Sequence, residues 1–130
     1  MRPKKTQYSY YNLNYHLVWI PKYRRKILVR ELATKLEQYL RETAENNRCE
    51  VISLKVQPDY VHLFVSAPPR FSPAQLINLF KGYTSRKLRE DFPELKEIHP
   101  EKLWTRTYYA ETAGGISEEA IQYYLENCED

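Results

Sequence analysis

The chain has 130 residues, two cysteines and a formal net charge of +3. That is room for one domain with one core, a span the sequence assigns to residues 1–130 as a whole. It holds no apolar run near the ~20 residues a membrane span needs, no apolar segment of a signal peptide behind Met-Arg-Pro-Lys-Lys, and too few cysteines for a disulfide framework, so a cytoplasmic setting is expected.

Charge is unevenly spread. Residues 1–30 carry eight Lys or Arg and no acid, whereas the last twenty carry six acids and no base. Such polarity suits a polyanion held at one end, or a head-to-tail contact with a second copy. Tyr8, Tyr10, Tyr11, Tyr15, Tyr23 and, further on, Tyr39 lie with Trp19 among these cations. Flat rings interleaved with cations are what unstacked bases on a phosphate backbone can use. Taken singly, each charge reads as a solvated face and each ring as core.

In chain order, Asn12 to Ile20 reads as a strand rich in aromatic and β-branched residues, ended by Pro21. The basic loop Lys22-Tyr23-Arg24-Arg25-Lys26 follows. Leu28 to Asn46 has helical periodicity, with Leu32, Leu36, Tyr39, Leu40 and Thr43 on one side. A second strand, Glu50 to Gln57, is expected to bury Ile52, Leu54 and Val56. Pro58-Asp59 then turns the chain into a third strand through Tyr60-Val61-His62-Leu63-Phe64-Val65-Ser66. Strand alternation places Tyr60 and His62 side by side on one surface and three aliphatics on the other.

Ser72-Pro73-Ala74-Gln75 is a capping box that opens a helix running to about Glu90. Lys81, Arg86, Lys87 and Arg89 make part of it basic. After a loop with Pro93, His99 and Pro100, Trp104 to Glu111 reads as a fourth strand. Gly114-Gly115 reads as a hinge, and Ser117 caps a last helix with Ala120, Ile121, Tyr124, Leu125 and Cys128 on one face. The order β-α-β-β-α-β plus a terminal helix predicts an α+β, ferredoxin-like split βαβ: an antiparallel sheet with two helices on one face, and residues 113–130 as hinge and tyrosine helix.

Chemistry has two places to sit: the strand around His62, and the last helix, with Tyr124 and Cys128 one turn apart. A tyrosine is a nucleophile whose phenol, with a pKa near ~10, needs help to attack. A phosphodiester is the natural electrophile in a basic, ring-rich protein. On residue type alone Tyr124 is packing, His62 a hydrogen-bonded sheet histidine and Cys128 a small apolar residue. His16 and His99 have no partner at ligand spacing and read as structural or surface, and Tyr123 points away from the Tyr124 face.

Asn14-Tyr15-His16-Leu17-Val18-Trp19-Ile20-Pro21-Lys22-Tyr23-Arg24-Arg25, Pro58-Asp59-Tyr60-Val61-His62-Leu63-Phe64-Val65, Leu79-Phe80-Lys81-Gly82, Leu103-Trp104-Thr105-Arg106 and Tyr124-Leu125-Glu126-Asn127 together resemble the small single-tyrosine HUH transposases of insertion sequences (the TnpA type). The resemblance implies a ferredoxin-like homodimer acting on single-stranded DNA with hairpin ends. It implies cleavage and rejoining through a 5′-phosphotyrosine, with Mg²⁺ or Mn²⁺ held by two strand histidines and a glutamine one turn after the tyrosine. Carried over, Tyr124 is the nucleophile and His62 the second histidine. Tyr60 stands where the first histidine is expected and Cys128 where the glutamine is. The resemblance therefore implies an impaired transposase, or else an inactive or repurposed hairpin-binding protein. A neighbour such as Asp59, His16 or Glu111 could compensate, or a softer ion such as Zn²⁺ could bind. Lys22, Tyr23, Arg24, Arg25, Lys26, Lys81 and Arg86 are the expected DNA contacts.

Overall fold

The computed structural model describes residues 3–112, 114 and 118–128; the expected hinge residue Gly115 and the expected cap Ser117 lie outside them. The chain begins with a hairpin that local patterning does not betray. Strands β1 (Lys4–Lys5) and β2 (Tyr10–Tyr11) are two residues each, too short to show a period. Lys4 ties this hairpin to the body through Glu50, with Nζ to Oε2 at 2.9 Å.

The main sheet contains β3 (Asn14–Trp19), β4 (Glu50–Gln57), β5 (Tyr60–Ser66) and β6 (Tyr109–Thr112), in the order β4-β5-β3-β6, with every neighbouring pair antiparallel. Helices α1 (Arg30–Asn46) and α2 (Pro73–Asp91) join the strands, and α3 (Glu118–Asn127) follows β6. This is the ferredoxin-like arrangement, and a split βαβ produces it because each helix crosses over one strand position before the chain returns.

One sheet face is apolar by alternation. Leu17 and Trp19 of β3 and Val61, Leu63 and Val65 of β5 are fully buried against Leu36 and Leu40 of α1 and Leu76, Ile77, Phe80 and Leu88 of α2. The capping box forms as its spacing predicts: Gln75 N–H donates to Ser72 Oγ at 3.1 Å, and Ser72 N–H donates to Gln75 Oε1 at 2.8 Å. Two orphan donors of the first turn are thereby satisfied, worth about 1 kcal/mol.

Two expectations need correction. On β4, the register shifts between Val51 and Ser53, so Ile52 is a bulged residue and Val51, not Ile52, packs on the core with Leu54 and Val56. An inserted residue flips the face of everything before it. The fourth strand is not Trp104 to Glu111 but Tyr109–Thr112, with Trp104 making one isolated bridge to Pro21. The Thr105 and Thr107 carbonyls are taken by Lys81 Nζ at 2.7 and 2.9 Å, so this stretch spends its acceptors on a side chain rather than on a ladder. Trp104 instead enters the core, its Nε1–H donating to Thr84 Oγ1 at 3.1 Å and its ring meeting Trp19 edge-on at 5.9 Å.

Helix α3 covers the opposite side of the sheet. Ile121, Tyr124 and Leu125 bury against Val18 and Ile20, with Tyr60, Tyr109 and Cys128 packed around them. The architecture is therefore three layers, and the residues of interest lie between the second and the third.

Candidate active site

Alternation sends Tyr60, His62 and Phe64 of β5 to the face away from α1 and α2. Register decides what joins them. Val18 stands opposite His62, which makes His16 a diagonal neighbour of His62 on the same face. His16 Nδ1 and His62 Nε2 are 3.0 Å apart, and the His16 ring lies flat on Phe64, with centroids 4.0 Å apart and 3° between planes. The expectation that His16 has no partner is thus overturned. Forty-six residues separate the two histidines, and only the β3–β5 register brings them together.

On the other side of β3, Glu111 of β6 pairs with His16. Its Oε2 is buried and has no hydrogen-bond partner among the described residues. Burial holds the His16 pKa below the usual histidine value, with the Glu111 charge pulling the other way. His62 is also lowered, first by burial, then by the charges of His16 and Lys55, against an opposing pull from Glu118 on α3. Both imidazoles are therefore biased to their neutral forms.

Tyr124 is 9% exposed, and its hydroxyl lies 3.1 Å from Thr107 Oγ1. Its ring sits 6.4 Å from that of Tyr109. It borders a cavity of about 640 Å³ whose lining includes Thr107, Tyr108, Tyr109, Tyr123 and Cys128. Tyr123 is 71% exposed and takes no part in the packed face of α3. Cys128 closes the helix, its N–H donating to the Tyr124 carbonyl at 2.8 Å and its Sγ lying 3.8 Å from the Leu125 carbonyl. Tyr60 packs into the same apolar cluster.

The basic loop folds as a tight turn at Lys22–Arg24, in which Tyr23 (φ 61°) and Arg24 (φ 48°) are left-handed. That turn aims Arg24 inward. Its Nε–H donates to Asp59 Oδ2 and its Nη1–H to the Leu125 carbonyl, both at 3.0 Å. One guanidinium thus links the β4–β5 turn to the tyrosine helix, a role that sequence reading missed because neither partner is near in the chain. Tyr23 stays exposed, with Lys22 Nζ 5.6 Å and the Arg25 guanidinium 5.9 Å from its ring centroid. Arg25, Lys26 and Arg86 are exposed, whereas Lys81 is turned toward the 105–107 segment. His99 caps its own loop, Nδ1 accepting from the backbone of Glu101 and Lys102.

Residues 9–128 match the family described as "Transposase IS200 like". The chain belongs to that family. It is 38% identical over 128 residues to the ISDra2 transposase TnpA of Deinococcus radiodurans, covering 98% of this chain and 91% of that one. It is 29% identical over 125 residues to the transposase for insertion sequence element IS200 of Salmonella typhimurium, covering 95% and 82%. A crystal structure of a candidate transposase from Deinococcus radiodurans superimposes with a TM-score of 0.87 at 38% identity, covering 95% of this chain and 96% of that one. A REP-associated tyrosine transposase bound to a REP hairpin shares the fold alone, at TM-score 0.57 and 10% identity, covering 94% and 69%.

As a transposase of this family, the chain works in DNA transposition of an insertion sequence. The divalent ion that family resemblance implies does not fit the positions that should hold it. Mg²⁺ and Mn²⁺ favour oxygen and imidazole donors. Here those positions offer one imidazole already bonded to His16, a phenol in an apolar cluster and a thiol at a helix end.

Proposed function

We propose that this transposase binds hairpin-bearing single-stranded DNA as a homodimer and cuts and rejoins it through Tyr124, with a rate weakened by Tyr60 and Cys128. The observation that carries this reading is the position of Tyr124: a phenol on a helix packed over the His62 face, at the wall of a cavity large enough for a nucleotide. In the step proposed, Tyr124 Oη bonds to phosphorus, the bond from phosphorus to the 3′-oxygen breaks, the phenol proton leaves to water and the 3′-oxygen takes one up. The product is a 5′-phosphotyrosine and a free 3′-hydroxyl, and reversal with a different 3′-hydroxyl rejoins strands. Thr107 holds the phenol at 3.1 Å before attack, and Arg24 keeps its helix seated. Exposed Tyr23, Arg25, Lys26 and Arg86 supply rings and cations for the strand.

Incubation with hairpin-bearing single-stranded DNA, followed by a denaturing gel, tests this directly. A covalent protein–DNA band that Tyr124→Phe abolishes and Tyr123→Phe keeps is the expected result. The second reading, a hairpin-binding protein that does not cut, is favoured by the replacement of both metal-position residues. It predicts binding that falls steeply with salt and no adduct with any divalent ion.

A further inference from the structure

We propose that the cleft between α2 and residues 101–106 is a phosphodiester-binding groove, a stretch of the DNA strand's track beside α2; this rests on the proposed binding of single-stranded DNA. Asn78, Gly82 and Ser85 of α2 face Lys102 and Arg106 around a volume of about 320 Å³. The three helix positions are four and three residues apart and so form one stripe. Asn78, Lys102 and Arg106 are exposed. Glu101 also lines the cleft and opposes an anion, but Lys81, Lys102 and Arg106 outnumber it, which leaves the cleft net positive.

Gly82 is what a close approach to the helix requires. It stands in the middle of α2, where glycine is the poorest helix former apart from proline. Packing does not call for it: among the described residues a Cβ there would meet nothing within 4 Å beyond its chain neighbours and its own helix backbone. The missing side chain instead leaves bare backbone on the cleft floor, against which a sugar-phosphate chain can lie. The opposite wall is held in place before anything binds. Arg89 Nη1–H donates to the His99 carbonyl at 3.1 Å and its Nη2–H to the Pro100 carbonyl, while Lys81 grips the Thr105 and Thr107 carbonyls. Lys22 N–H donates to the Leu103 carbonyl at 2.7 Å, and Thr105 N–H to the Ile20 carbonyl at 3.1 Å. A wall already fixed loses little ordering entropy when a ligand arrives.

The cleft continues toward the proposed nucleophile. Thr105 borders both this cleft and a second depression walled by Tyr23, Arg24 and Leu125, and Cys128 borders both that depression and the Tyr124 cavity. Exposed Tyr23 stands along that line, with Lys22 and Arg25 beside its ring. Cations over a bare backbone groove, followed by an open ring, suit an unpaired strand, whose phosphates and bases take those two kinds of contact. Phosphate and sugar contacts carry no base identity, so the groove holds the strand whatever its sequence. The alternative is a solvated surface depression in which the glycine is incidental.

Fluorescence anisotropy of the full chain with a labelled hairpin-bearing single-stranded oligonucleotide, in EDTA and at several salt concentrations, separates the two. Gly82→Gln restores a good helix former and puts a neutral side chain into the cleft. Its Tm should equal or exceed that of the wild type, while its affinity falls and the slope of log Kd against log salt drops by about 1.4, the share of two phosphates. Lys102→Gln and Arg106→Gln should each lower that slope by about 0.7, and equally so when the unpaired bases are scrambled. A folded Gly82→Gln protein with wild-type affinity and slope, or an unchanged slope in both cation variants, would overturn the groove. If the wild type binds the strand and forms the Tyr124 adduct while Gly82→Gln matches it in both, the groove alone fails. No binding by the wild type removes the groove and the strand-binding reading together.

Discussion

Replacing Arg24 by alanine should loosen the tyrosine helix while leaving the sheet intact. The side chain makes two contacts that meet nowhere else: Asp59 on the β4–β5 turn and the Leu125 carbonyl at the end of α3. Its side chain is 38% exposed and that of Asp59 18%, so the ion pair is screened and contributes about 0.5–1 kcal/mol. The charge-assisted hydrogen bond to Leu125 adds about 1 kcal/mol. Together the latch stabilises the docked helix by about 1–2 kcal/mol, which corresponds to a factor of about 5–30 in the population of the undocked state. Amide hydrogen exchange read residue by residue measures that population. Exchange over Ile121–Asn127 should speed up by that factor in Arg24→Ala, with β3 and β5 unchanged. Asp59→Asn should give a smaller effect that fades as salt rises, because it removes only the screened part. If α3 exchanges alike in Arg24→Ala and the wild type, the helix is held by its apolar face alone and the latch argument fails.

Four other outcomes follow from the same contacts. Restoring the expected donors with Tyr60→His plus Cys128→Gln should raise both Mn²⁺ affinity and adduct yield; equal tight binding by wild type and double variant would refute impairment. The Tyr39 phenol donates to Asp91, and that hydrogen bond, followed by burial, pushes its pKa up to about 12. A raised pKa stabilises the fold fully below the ordinary tyrosine value of about 10 and loses that stabilisation as pH rises toward 12, so urea titrations should show a steeper alkaline loss in the wild type than in Tyr39→Phe. Lys81→Met should destabilise the chain by about 1–3 kcal/mol in thermal unfolding without DNA, because two carbonyls lose a cationic donor. Leu63→Ala, at a fully buried position on the central strand, should cost about 2–5 kcal/mol in the same assay.

Local signals carried most of the elements. The capping box of α2, the Pro58-Asp59 turn and the alternation around His62 each depend on residues a few positions apart, and each is present as its pattern implies. Misreadings arose where distant groups compete for the backbone or shift the count. Thr105 and Thr107 look like strand residues, yet Lys81 from α2 claims their carbonyls. Ile52 alternates properly with Leu54, yet a bulge turns it from the core. Strands β1 and β2 are held as a pair with too few residues to leave a pattern.

The candidate site divides in the same way. Residue type and order, by themselves, determined that Tyr124 rides an apolar helix face and that His62 shares a strand face with Tyr60. Tertiary structure alone decided that His62 and Glu111 flank His16 from the strands on either side and that Arg24 grips the tyrosine helix. The physical reason is that side-chain period is a local property of each strand, whereas register between strands depends on the whole packed sheet. A shift of one residue between β3 and β5 would carry His16 to the opposite face and dissolve the pair.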